Sequence, residues 1–90
     1  MKILVVGKKF VDYEKKDGSG RSTGYEIKGI ITEPDDQDDN LEGNDVFSEY
    51  MRDQSALTAE INQEYEVIFT MRKFKGEYKA YPGKLVKVTN

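Results

Sequence analysis

Seven residues within one short stretch, Arg72, Lys73, Phe74, Lys75, Tyr78, Lys79 and Tyr81, alternate cations with aromatic rings. Cations attract phosphates without reading sequence, and a positioned ring stacks a base for roughly 1–3 kcal/mol. Together they supply the noncovalent chemistry that recognises an unpaired nucleic-acid strand, with an affinity that falls as salt rises. A second group surrounds the glycine-rich EKKDGSGRSTG: Lys15 and Lys16 enter it, Arg21 lies within it, and Tyr25 and Lys28 follow. The aromatics also fit a different assignment, in which they complete a core or a homodimer interface while the cations snorkel along its rim. Tyr25 fits the core and a stacked base equally well, whereas Lys28 is the cleaner surface contact.

The chain has no cysteine and no histidine, which excludes disulfides, thiolate ligands and the commonest general base near neutral pH. Asp35, Asp36, Asp38 and Asp39 lack the ordered twelve-position pattern of a calcium-binding loop, and the GSG run lacks the remainder of a Walker motif. A hydrolase would need carboxylates converging on one pocket, while the densest acidic run reads as a solvated loop. No enzymatic activity, cofactor or metal is therefore expected.

The net charge of −3 hides a strong partition. Residues 33–66 hold twelve acidic side chains against one arginine, a net of −11, and the rest holds thirteen basic against five acidic, a net of +8. A basic face and an acidic projection are expected on one small domain. The acidic part suits contact with a basic protein, and a β-rich interaction or scaffold protein is the competing functional class.

The elements that must position these groups are mainly strands. Residues 2–13 read as a strand bent near Gly7, since their apolar residues do not keep one parity. Residues 25–32 form a second strand, and Pro34 opens an acidic loop over about 33–45. Asn44 or Asp45 is placed to cap a short helix over 46–53 with Val46, Phe47, Tyr50 and Met51 on one face; residues 54–63 show no firm periodicity. Residues 64–88 read as a hairpin reversing at Lys75-Gly76, with a bend or bulge at Pro82-Gly83. Its first strand places Tyr65, Val67, Phe69 and Met71 on a common inward stripe.

Residues 1–90 thus form one all-β domain, expected as a small five-stranded OB-like barrel with protruding hairpins and a short middle helix. The opening MKILVVGKKF lacks a signal-peptide pattern and no run is long enough to span a bilayer, so a soluble cytoplasmic protein without membrane contact is expected.

RSTGYEIKG and the terminal YEVIFTMRKFKGEYKAYPGKLVKV, in similar order across most of the chain, resemble the filamentous-phage gene V type of helix-destabilising, single-stranded DNA-binding protein. The resemblance implies a noncatalytic homodimer that coats single-stranded DNA cooperatively during replication or transfer of a phage or other mobile element. Arg21 and Tyr25 would be the cation and stacking residue of a first binding hairpin, and Phe74 the ring of a later hairpin reaching DNA across the dimer. The acidic 33–45 insert departs from that pattern.

Overall fold

Bulges and tight turns, more than strand length, shape this chain. In the computed structural model, which describes residues 1–89, five strands and one helix follow in the order β1 (Lys2–Glu14), β2 (Arg21–Glu33), β3 (Val46–Met51), α1 (Gln54–Thr58), β4 (Glu64–Phe74) and β5 (Glu77–Lys87). All pairings are antiparallel, and the sheet order is β3-β2-β1-β4-β5. Among the described residues no helix is long and apolar enough to cross a membrane.

The bend foreseen near Gly7 is a bulge. Val5 pairs with Gly29 and Gly7 with Lys28, leaving Val6 unpaired and 45% exposed. The extra residue inverts the facing of everything after it. Ile3 and Val5 are buried before the bulge; Lys8, Phe10 and Asp12 take that face after it, opposite Ile27, Tyr25 and Thr23 of β2. The mixed parity of the first strand has this cause.

The core is small and lies at one end of the sheet. Ile3, Val5 and Ile27 pack with Phe47 and Met51 of β3, Tyr65 and Val67 of β4, and Leu85 of β5, closed over by Ala56 and Ala59. Each large aliphatic side chain so buried contributes roughly 1.5–3 kcal/mol. Helix α1 is capped by Asp53, whose carboxylate accepts from the Ser55 N–H at 2.9 Å and from the Ser55 hydroxyl at 2.6 Å. The same Ser55 oxygen accepts from the Leu85 N–H at 2.8 Å and so fixes α1 to β5.

Two sequence expectations need correction. The sheet is not an OB-like barrel: β3 and β5 are its two edges, and no ladder joins them. Past the end of β3, the Asp53–Ser55 segment is joined to β5 by the Ser55–Leu85 hydrogen bond instead. The span expected to be helical at 46–53 is instead strand β3, paired with β2 from Ile30–Val46 to Tyr25–Met51, and the helix begins at Gln54. Phe47 and Met51 are four residues apart, a spacing that keeps one face in a helix and in a strand alike. Pairing with β2 settles the choice.

Candidate functional site

The β4–β5 hairpin leaves the core soon after it begins. β1 accompanies β4 only over Lys2–Leu4, and every residue from Phe69 to Tyr81 is exposed. The result is a two-stranded arm of about 20 Å, taking roughly 3.4 Å per residue over Phe69–Phe74. Phe69 and Met71, expected to point into the core, are 38% and 62% exposed because nothing packs over them there. The arm reverses at Lys75-Gly76, both at positive φ (50° and 82°) between the Phe74–Glu77 pair, as a tight two-residue hairpin turn requires. The bulge at Gly83 lies between the Ile68–Lys84 and Phe69–Pro82 pairs, as expected.

Register assigns the arm's side chains to two faces. Phe69, Met71, Lys73, Tyr78 and Ala80 continue the face that is buried lower down, while Arg72, Phe74, Lys79 and Tyr81 occupy the other. On the first, the Lys73 ammonium lies 5.9 Å from the Tyr78 ring centre. On the second, Arg72 lies 6.0 Å from Tyr81 and Lys79 5.9 Å from Phe74, with Lys75 at 5.5 Å from Phe74 at the tip. These are outer-range cation–ring contacts, loose enough to be exchanged for a ligand. Four cations against the single Glu77 give Phe69–Tyr81 a net charge of +3.

The residues expected at the first hairpin are less unified. Lys15 and Lys16 lie in the β1–β2 connection, where the Lys15 N–H donates to the Gly20 carbonyl at 2.8 Å. Arg21 begins β2, and its Nε donates to Asp12 at 3.0 Å. That hydrogen bond, then the charge of Asp12, raises the guanidinium pKa above its usual value. Tyr25 is half-buried, edge-on to Phe10 at 5.6 Å and beneath the Lys8 ammonium at 4.6 Å. Lys28 is exposed on the opposite face, 3.6 Å from Glu26. Tyr25 and Lys28 therefore do not share a surface.

A second group forms no motif in the sequence. A groove of about 580 Å³ runs between the end of β3 and the base of the arm, lined by Tyr13, Tyr50, Arg52, Arg72 and Tyr81 among others. Tyr13 and Tyr50 meet edge to face at 6.0 Å, and the Tyr50 hydroxyl shares a hydrogen bond of 3.0 Å with the buried Ser22. The one available signal was positional: Tyr13 precedes the glycine-rich turn as Tyr25 follows it.

The acidic segment is held by local hydrogen bonds and by an ion pair to Met1. The Met1 ammonium lies 2.7 Å from Asp35, Asp38 accepts from the Asn40 N–H at 2.9 Å, and Asp45 from the Val46 N–H at 2.8 Å. A cleft of about 410 Å³ beneath it adds Ile31 and Leu41 to these carboxylates. Among the described residues, no group of three or more His, Cys, Asp or Glu side chains is placed to hold a metal.

Comparison with protein-family models, with curated proteins and with solved structures gave no match, so the chemistry of these surfaces must be read from their own residues.

Proposed function

We propose that this chain binds single-stranded DNA without sequence preference and without catalysing a reaction, coating unpaired tracts during replication or transfer of a mobile element. The observation that carries the proposal is the arm: thirteen consecutive exposed residues with four rings, three of them (Phe74, Tyr78 and Tyr81) within 6.0 Å of a cation. A monomer gains little from holding Phe74 and Tyr78 at 54% and 68% exposure. An unpaired strand offers what they lack, a base face for each ring and a phosphate for each neighbouring cation. In a duplex the base faces are stacked away, so only the electrostatic part remains.

The mechanism needs no hydrolysis. Every tract bound lowers the free energy of the unpaired state and moves the duplex equilibrium toward opening. In keeping with the gene V type of protein that the sequence resembles, the proposed active form is a homodimer, whose two arms would engage neighbouring stretches of strand.

Titration with fluorescent oligo-dT and a matched duplex, at several salt concentrations and with the oligomeric mass measured in parallel, tests this reading. Tighter binding to the single strand, weakening with salt, by an oligomer is the expected result. Equal, negligible binding to both at low salt rejects it. That outcome would favour the second reading, an interaction protein that presents the acidic 33–45 segment to a basic partner, for which the cleft at Ile31 and Leu41 is the supporting feature.

A further inference from the structure

The Tyr13–Tyr50 pair stands on the face of the sheet opposite the core. Tyr13 lies across β1–β2 from Ser22, and Tyr50 across β2–β3 from Glu26. What holds these rings is specific. The Tyr50 ring lies so close over Gly24 that a Cβ there would come within 2.8 Å of two ring carbons and 2.7 Å of the Met51 carbonyl oxygen. The hydroxyl of the same ring is tied to Ser22, and Tyr13 rests against it. One wall of the groove is thus built in advance, while Tyr13 stays 48% exposed.

The opposite wall belongs to the base of the arm, where Arg72 stands beside Tyr81 next to the Gly83 bulge. Arg52 lines the groove and forms no ion pair among the described residues. Glu49 and Asp53 also line the groove. Asp53 is committed to the helix cap. These two carboxylates balance the two guanidiniums, so the groove has little net attraction for phosphate, in contrast to the arm at +3.

We propose that the groove between Tyr13 and Tyr81 is a nucleobase slot, in which a base of the bound strand stacks while the lysines of the arm hold the phosphates beside it. This rests on the single-strand reading above and divides the labour within it. The slot supplies contact that is nearly independent of salt, and the arm supplies the salt-dependent part. Its size falls in the roughly 300–1,000 Å³ range of small-ligand sites, and a fixed wall of rings lowers the ordering cost of binding.

The test compares oligo-dT affinities at about 50 and about 200 mM salt. Tyr13→Leu is expected to weaken binding about five-fold or more, by a similar factor at both salts, and Tyr13→Phe to restore it. Lys73→Gln with Lys75→Gln is expected to flatten the salt dependence, by about 0.7 in logarithmic slope for each phosphate that is no longer neutralised. Binding by folded Tyr13→Leu within about two-fold of wild type at both salts overturns the slot while leaving the function reading standing. Wild type that binds no single strand removes both. Should Tyr13→Leu misfold, photocrosslinking of wild type to iodouracil-substituted oligonucleotide decides: a crosslink at Tyr13 supports the slot, and crosslinks confined to the arm rings Phe74, Tyr78 and Tyr81 overturn it.

Discussion

The ammonium of Lys8 stands 4.6 Å from the ring centre of Tyr25 and donates to the carbonyl oxygens of Leu57 and Ala59 at 2.7 and 3.1 Å. One side chain thereby joins the middle of the sheet to the end of α1, satisfying carbonyls that a short helix leaves open. It reaches this position because the Val6 bulge turns Lys8 onto the core face. Lys8→Ala is expected to destabilise the fold by about 1–2 kcal/mol, from a partly solvated charge-assisted bond and a cation–ring contact. Denaturant unfolding measures this, and a change below a few tenths of a kcal/mol would remove Lys8 as a structural tie.

Tyr25 follows from the same contact. Half-buried against Phe10 and beneath Lys8, it is a packing residue first. Tyr25→Ala is expected to cost stability, about 1–3 kcal/mol, whereas Phe74→Ala and Tyr78→Ala should each stay within about 0.5 kcal/mol of wild type while weakening oligo-dT binding. Thermal melts set beside binding curves separate the two classes. A large loss of stability in the arm variants would mean that the rings are covered, as in a dimer interface.

Gly24→Ala brings a methyl group against the Met51 carbonyl and the Tyr50 ring, neither of which is a free-swinging chain end. A loss of about 1–3 kcal/mol is expected, as for other overpacked sites, together with a changed tyrosine near-ultraviolet dichroism as Tyr50 moves. An unchanged melt would show that β3 shifts freely against β2.

Asp53 gives the fold an acid-sensitive cap. The Ser55 hydroxyl first, then the Ser55 N–H, holds its carboxyl below the usual aspartate range. A carboxylate whose folded pKa is depressed contributes stability that is present above its unfolded value, near pH 4, and is lost as pH falls through the folded value. Asp17 is lowered in the same sense by Ser19. The melting temperature should fall below about pH 4, and Asp53→Asn should melt lower at neutral pH and show a shallower acid decline. Parallel acid profiles for variant and wild type would assign the decline to other groups.

How much of this was legible beforehand differs from element to element. Local chemistry determined the hairpin from residue 64 onward: period-two alternation, a turn whose positive φ values suit Lys75-Gly76, and a glycine bulge at 83. The bend near Gly7 and the clustering of cations with rings at 72–81 were equally local, since each depends on residues adjacent in the chain. The sequence alone also determined the separation of the acidic 33–66 segment from its basic flanks, because charge needs no partner to be counted.

Only the tertiary structure decided which faces those residues occupy. The Val6 bulge reverses side-chain facing partway along β1, so parity counted from Ile3 misplaces Lys8 and Phe10. Phe47 and Met51 satisfy helix and strand spacing alike, and pairing with β2 selects the strand. Phe69 and Met71 carry an inward pattern but lie beyond the reach of β1, which ends its pairing with β4 at Lys2–Leu4. Whether β3 and β5 join is a question of closure between segments far apart in the chain; they stay unpaired edges, and the contact made there is the Ser55–Leu85 hydrogen bond. Burial and closure are long-range outcomes of competing contacts, and no local window of sequence contains both partners.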